Sequence, residues 1–392
     1  MNFVLFDSQS RNNLLPFTHT RPVADIRCGI LTMRERWEKL LGVNTWTLTQ
    51  PYLQPAFPNI DSSEKTYINA AVFATTDLVN AITGLKAGDT LYANDILIAW
   101  RPNESVNEQD FLKEAANCAA KTQYAESVMV LNNNWDIFSL NDRAIRADFE
   151  VLTKGRKSVP VPQGVTVAGG ESLFIEEGAN IHPGCIINAS TGPVYIGADA
   201  EVLEGTIMRG PIALCEHSVV KMGAKIYGAT TIGPGCKVGG EINNAVFFAN
   251  SNKAHDGYLG NAVIGEWCNL GADTNCSNLK NDYGTVKVWH EATGKEINSG
   301  LTFCGLMMGD HSKCGINTMF NTGTVVGVSC NIFGSGFPKK FIPSFSWGGA
   351  DGFTEYRFDK AIEAANRMMG RRGKALSRAE IDALLFVYEN YI

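Results

Sequence analysis

From Ile196 onward, aliphatic residues recur every six positions: Ile196, Val202, Met208, Leu214, Val220, Ile226, Ile232 and Val238. The phase returns at Ile264 and Leu270, and again at Met308, Cys314, Phe320, Val326 and Ile332, often with a glycine next in line. A period of six is neither the 3.6 of an amphipathic helix nor the alternation of a half-buried strand. It fits short strand-and-turn units, three to a coil, whose aliphatic side chains point inward and stack on the coils above and below. A two-sheet sandwich would instead carry turn signals about every 8–12 residues without fixed phase. The pattern predicts a parallel β-helix over residues 160–337. Two stretches interrupt it: residues 239–258 shift the phase, and residues 276–307 interpose an insertion. Both lie beside a polar cluster, and loops projecting from a rigid repeat are usual places for binding chemistry.

Before residue 155 the pattern is different. Val4-Leu5-Phe6 reads as a strand, as do the apolar stretches 66–74 and 90–99. Thr32 to Leu41 reads as a helix, with Thr32 as cap and Glu35 three residues later. Phe111 to Ala125 reads as a second helix, and the turn at 131–136 as leading to a short helix through residue 146. Strands alternating with helices predict an α/β domain over 1–155. Gly155 to Pro162 marks the boundary. The repeat is read as ending after Ile332, and 338–392 as an extension with two helices, Phe358 to Met369 and Ser377 to Tyr388. Ser377 with Glu380 makes a capping box for the second.

Composition sharpens this picture. A length of 392 residues exceeds what one core usually supports, and 39 glycines, most of them after residue 155, agree with repeated turns. The net charge of −6 gives no broad footprint for nucleic acid, although a small anionic substrate needs only a few local cations. No apolar run is long enough for a membrane span, and the first residues lack the features of a secretion signal. A cytoplasmic location is expected. The ten cysteines are scattered without a CxxC pair, so small buried thiols are the expectation. The metal-ligand set is left unknown.

The chemistry-bearing residues cluster at the first interruption. Ser251-Asn252-Lys253-Ala254-His255-Asp256-Gly257-Tyr258-Leu259-Gly260, followed by Asn269-Leu270-Gly271-Ala272-Asp273-Thr274, resembles the acetyltransferase half of bifunctional sugar-1-phosphate uridylyltransferase/acetyltransferases. Ser277-Asn278-Leu279-Lys280 and Thr285-Val286-Lys287-Val288 resemble the archaeal-type members. The run Thr20-Arg21-Pro22-Val23-Ala24-Asp25-Ile26-Arg27-Cys28-Gly29 resembles a bacterial group with a shortened N-terminal domain. The resemblance implies acetyl transfer from acetyl coenzyme A to an amino-sugar 1-phosphate, with His255 as general base. Imidazole suits that role, since an amine must lose a proton as it attacks a thioester. It also implies substrate contacts from Glu241, Lys253, Tyr258, Asn278, Lys280 and Lys287, with Arg209 a further candidate. A coenzyme groove at Ala272, Gly305, Gly315, Ile316 and Asn317 is implied too, as is a homotrimer sharing sites between subunits. The 276–307 insertion is expected to reach across to the neighbour.

The N-terminal half departs from that family. Its members carry a glycine-rich loop that wraps a triphosphate with backbone amides. Here the segment Phe6-Asp7-Ser8-Gln9-Ser10-Arg11-Asn12-Asn13-Leu14-Leu15-Pro16 has no glycine. Arg11, Arg21 and Arg27 are candidates for nucleotide phosphate, although Arg27 could equally hold Asp25 or Asp7. Asp95 is a candidate metal carboxylate, with Mg2+ needed if nucleotidyl transfer is retained. The expected fold is a reduced nucleotidyltransferase-like α/β domain, then a left-handed parallel β-helix of hexapeptide repeats with C-terminal helices. Three functions stay open: acyl transfer with or without nucleotidyl transfer, a sugar-1-phosphate nucleotidyltransferase (UTP or dTTP) with a structural β-helix, and a non-catalytic scaffold.

Overall fold

A computed structural model describes residues 2–62, 64–104, 106, 107 and 110–391. The chain divides into two compact units: Met1–Ile26 with Leu31–Asn133, and Arg27–Ile30 with Asn134–Ile392.

The first unit is built on a six-stranded mixed sheet of β1 (Asn2–Phe6), β2 (Trp46–Leu48), β3 (Lys65–Asn69), β4 (Asp89–Ala93), β5 (Ile96–Arg101) and β6 (Ala120–Gln123). Their order is β2-β1-β3-β5-β4-β6, parallel around β1 and antiparallel around β5. The first strand is as expected, with Met1 outside the described residues. The segment read as one strand over 90–99 is a hairpin, turning at Asn94 with φ of 50°. Helix Met33–Leu41 starts at Thr32, whose hydroxyl accepts from Glu35 N while Glu35 returns a bond to the Thr32 amide. Leu41 is followed by Gly42, whose φ of 72° ends the helix. The helix expected over Phe111–Ala125 stops at Ala116, and Ala120–Gln123 is an exposed edge strand parallel to β4. Alanine propensity gives way there to the pairing that an unfilled sheet edge offers.

The second unit is a left-handed parallel β-helix with C-terminal helices. Three ladders run its length. The first includes Thr166–Ala168, Ile186–Asn188, Ile207–Arg209 and Lys225–Tyr227. The second includes Leu173–Ile175, Val194–Ile196, Ile212–Leu214 and Thr230–Ile232. The third includes Asn180–Ile181, Glu201–Val202, Val219–Val220 and Lys237–Val238. Regular coils advance by eighteen residues, as in Ile212 with Thr230 and Val219 with Lys237. Inward side chains, chiefly Ile, Val, Leu, Met, Ala, Phe and Cys, form one hydrophobic core. Nine of the ten cysteines are buried and all are free. One corner repeats a left-handed residue at Asp199, His217, Gly235, Asn250, Trp267, His311, Ser329 and Phe345. That conformation lets each coil turn between its second and third ladders.

The repeat does not end at Ile332. Phe341–Ile342 pairs in parallel with Val325–Val326, and Ser346–Gly349 pairs with Asn331–Ile332. Ile342 keeps the inward phase, and Pro338 and Pro343 both lie outside the paired strands. The insertion after Cys276 forms an antiparallel hairpin, Lys287–His290 with Lys295–Asn298. It lies along its own chain: Val286 and Lys287 contact Gly323, and Trp289 stacks on Phe341 at 4.8 Å. Trp289 and Phe341 line one surface pocket of about 790 Å³ together with Lys339 and Lys340. The turn after 131 leads to Asp136–Ser139 and then a helix, Asn141–Thr153, longer than expected. Asn141 Oδ1 accepts from Gly29 N at 2.7 Å and Asp148 from Ile30 N at 2.8 Å, which ties Arg27–Ile30 to this unit. The C-terminal helices are Phe358–Gly370 and Arg378–Asn390, the second with the Ser377–Glu380 capping box.

Candidate active site

The coil carrying the polar cluster is irregular in a specific way. Between its third and first ladders, the corner after Val238 holds two residues, Gly239 and Gly240. The corresponding corners hold four: 221–224, 254–257, 271–274 and 315–318. With the strand Glu241–Phe247, whose inward Ile242 and Phe247 stand five apart where Ile226 and Ile232 stand six apart, this produces the phase shift visible in the sequence. The four-residue turn Ala254–Gly257 folds down onto the short corner. A Cβ on Gly239 would meet the Ala254 carbonyl oxygen at 2.6 Å, and one on Gly240 the Gly257 oxygen at 2.8 Å. Only glycine leaves room for that approach.

His255 is exposed on this turn. Lys253, expected to contact substrate, is fully buried beneath it. Its Nζ donates to the carbonyls of His255 at 2.8 Å, Asp256 at 3.0 Å and Gly239 at 3.3 Å. Burial lowers its ammonium to about 8, against the pull of Asp256 and Asp273.

The outer face of the first ladder supplies the rest. Lys225, Glu241 and Tyr258 are in register on successive coils, and Tyr227, Asn243 and Gly260 form the next column. Glu241 accepts from the Tyr227 hydroxyl at 2.7 Å and lies 3.6 Å from Lys225 Nζ. The hydrogen bond to Glu241, reinforced by burial, pushes the Tyr227 phenol up to about 12. Asn278 is buried, and its Nδ2 donates to Tyr258 Oη at 3.0 Å and Asn261 Oδ1 at 2.8 Å. Gly260 makes room for this group, since a Cβ there would sit 2.3 Å from Tyr258 Oη. Arg209 is exposed on the coil below Tyr227.

The sequence candidates therefore separate. His255, Glu241, Tyr258 and Asn278 gather at one corner and its adjoining face. Lys280 instead pairs with Asp282 at 2.9 Å, and Lys287 is exposed on the insertion hairpin. Ala272, Gly315, Ile316 and Asn317 stack above the His255 turn on the same corner. Asp273 N bonds Asp256 O, and Asn317 N bonds Ala272 O. Gly305 belongs elsewhere, its amide on Asn261 O at 2.8 Å, beside Asn278. Lys225, Tyr227, Asn243 and Asn261 join the site without having been singled out in the sequence. The signal for Lys225 and Tyr227 was their outward position either side of Ile226, but the shortened coil hid the register.

In the first unit, Arg11 is buried and bonded to Thr18 O at 2.6 Å and Tyr52 Oη at 2.7 Å, with Asp7 at 3.4 Å. Asp7 also accepts from Val23 N and Thr49 Oγ1. Burial raises its carboxyl above the usual range, with Arg11 opposing. Arg21 is buried as well. Asp25 is held by Arg34, in two bonds of 2.8 and 2.9 Å. Arg27 belongs to the second unit, where it donates to the Ile30 carbonyl and lies 3.8 Å from Cys215 Sγ. A cavity of about 320 Å³ opens at the ends of β1 and β2, lined by Asp7, Thr49, Gln50, Asp110 and Lys113. Asp95 sits exposed at the tip of the β4–β5 hairpin. Among the described residues, no three His, Cys, Asp or Glu side chains converge as a metal site. No helix among them is long and apolar enough to cross a membrane.

The sugar nucleotidyl transferase family matches residues 3–157. A bifunctional sugar-1-phosphate nucleotidylyltransferase/acetyltransferase of Sulfurisphaera tokodaii is 27% identical over 307 residues, covering 78% of this chain and 69% of that protein. The bifunctional protein GlmU of Synechococcus elongatus is 23% identical over 238 residues, covering 55% of this chain and 48% of its own. GlmU of Methanocaldococcus jannaschii is 36% identical over 90 residues, 23% of this chain and 21% of its own. The chain thus spans between about a fifth and about two thirds of these relatives. It is related at low identity to GlmU-like bifunctional proteins and has a nucleotidyltransferase/acyltransferase-like architecture.

Proposed function

We propose that the second unit transfers an acetyl group from acetyl coenzyme A to the amine of an amino-sugar 1-phosphate, such as glucosamine 1-phosphate, at the corner and face around His255. The observation that carries this reading is the juxtaposition of an exposed histidine turn with the column Lys225, Glu241 and Tyr258. That combination offers a base, a carboxylate for sugar hydroxyls or amine, and cations for a phosphate. Lys225 and Arg209 are free of the core and suited to the phosphate. Tyr258 and Asn278, bonded to each other, present a fixed polar wall for the sugar.

In the reaction, the amine nitrogen attacks the thioester carbonyl while the His255 imidazole accepts its proton. The C–N bond forms, the C–S bond breaks, and the leaving thiolate takes that proton from the imidazolium. The products are an amide and free coenzyme A thiol. The corner that continues upward through Ala272, Gly315, Ile316 and Asn317 suits a pantetheine arm, with exposed backbone and the open side chain of Ile316. A site on the outside of a rod needs a second wall to be concave, and a homotrimer supplies one.

Purified protein with acetyl coenzyme A and glucosamine 1-phosphate should release thiol, and His255→Ala should lower turnover by at least about 100-fold with the fold unchanged. Unaltered turnover in that variant refutes the assignment. A second reading, sugar-1-phosphate nucleotidyl transfer with UTP or dTTP by the first unit, is favoured by the family match over residues 3–157 and by the cavity at the ends of β1 and β2. It predicts Mg2+-dependent pyrophosphate release across a panel of nucleoside triphosphates and sugar 1-phosphates. Silence across the panel rejects it.

A further inference from the structure

The inward column of the third ladder is aliphatic or cysteine on coil after coil: Ile181, Val202, Val220 and Val238 below, then Leu270, Cys314 and Ile332 above. Between Val238 and Leu270 the same slot is filled by Lys253, in register with Val238. A lysine in an aliphatic stack is costly, because an ammonium out of water needs partners for its protons. This one finds them in three backbone carbonyls, of Gly239, His255 and Asp256. Two of those belong to the turn that carries the proposed base. The third belongs to the double-glycine corner on which the turn rests. A leucine or valine would fill the slot and complete the stack, as in the neighbouring coils. It would leave the turn without its anchor.

We propose that Lys253 is a positioning residue for acyl transfer: from inside the coil it clamps the Ala254–Gly257 turn onto Gly239–Gly240 and so sets the direction of the His255 imidazole. This rests on the role proposed for His255. The lysine touches neither substrate nor reacting atoms. It acts through the histidine by fixing the backbone to which the ring is attached. Misplacing a catalytic group by about 1 Å can cost about 100-fold in rate, so the clamp's effect should fall on kcat.

The test is a double-mutant cycle in thiol release, using wild type, Lys253→Met, His255→Ala and the double variant. Methionine keeps the methylenes and restores an apolar slot. Lys253→Met is expected to lower kcat about 30- to 100-fold while KM for both substrates stays within about threefold. The double variant should be no slower than His255→Ala by more than about twofold, since a clamp has nothing left to aim. Losses that multiply in the double variant, or a Lys253→Met kcat within about threefold of wild type, overturn the proposal. Should Lys253→Met not fold, Gly239→Ala decides. Its Cβ would stand 2.6 Å from the Ala254 carbonyl oxygen and displace the turn, and an unchanged kcat there is equally fatal. A fully active His255→Ala removes the acyl-transfer reading and this one with it. An inactive His255→Ala beside a fully active Lys253→Met removes the clamp alone.

Discussion

Gly260→Ala should separate activity from folding at this site. The glycine lies in the strand Tyr258–Ile264 with ordinary extended backbone, so alanine brings no conformational penalty and slightly restricts the unfolded chain. Its Cβ, however, would stand 2.3 Å from Tyr258 Oη and 2.7 Å from Asn278 Nδ2. Contact at ordinary van der Waals distance requires the phenol and the amide to withdraw by about 1 Å. Both are ends of side chains and can move, but the 3.0 Å bond between them cannot survive unaltered. The stability cost is that of one neutral hydrogen bond, about 0.5–1.5 kcal/mol, offset in part by the gain from glycine to alanine. The functional cost is larger, because a polar wall displaced by about 1 Å no longer fits the sugar and can cost about 10- to 100-fold. We expect kcat/KM for glucosamine 1-phosphate to fall by about that factor, KM for acetyl coenzyme A to stay within about twofold, and the thermal midpoint to move by only a few degrees. Thiol release across a matrix of both substrates measures the first two, and differential scanning calorimetry the third. A variant with wild-type kcat/KM refutes the placement of the sugar against Tyr258 and Asn278. One that does not fold refutes the claim that those side chains can yield.

Three further outcomes follow from the packing. Lys253 ionises near 8 when folded, below the 10.5 of a free lysine, so the unfolded chain holds more protons between those values. The penalty for its charge is therefore complete below pH 8 and relieved as pH rises, and stability relative to Lys253→Met should grow by about 2 kcal/mol from pH 7 to 9.5, read from urea midpoints; a constant difference contradicts the burial. Gly233→Ala puts a Cβ 1.4 Å from the Phe248 carbonyl oxygen of the next coil; because backbone must move, a loss of more than about 4 kcal/mol or insoluble protein is expected, and a wild-type midpoint would rule out this coil spacing. Arg11→Met leaves the buried Asp7 carboxylate without its cation, and the first unit should lose about 3–5 kcal/mol, measured as an earlier urea transition that an unchanged midpoint would disprove.

Much of the second unit was legible because its code is local and repeated. Each inward aliphatic residue is required by the coil beneath it, so the period survives without knowledge of any long-range contact. The capping boxes at Thr32 and Ser377 were legible for a similar reason, since all their partners lie within four residues. Ala120–Gln123 was misread as helix because its pairing with Asp89–Tyr92 lies thirty residues away. Lys253 was expected to contact substrate because the family resemblance places it in the polar run beside His255. Only the register with Val238 reveals that it points inward. The stacking of Trp289 on Phe341 was hidden for the same reason: it joins residues about fifty positions apart, and no local pattern announces it.

The double-glycine corner carries a consequence for how such a chain changes over time. The geometry proposed for acyl transfer depends on a difference in length between two adjacent coils, at residues that need never meet a substrate. Substitution can blunt that arrangement, but insertion can erase it. Two residues added between Gly239 and Gly240 would restore the spacing of the neighbouring corners, smooth the rod and lift the His255 turn from its seat. A gene tolerant of small indels thus holds both a more regular rod and one with the seated His255 turn within a single event. Selection for regular stacking alone would move the chain toward the former.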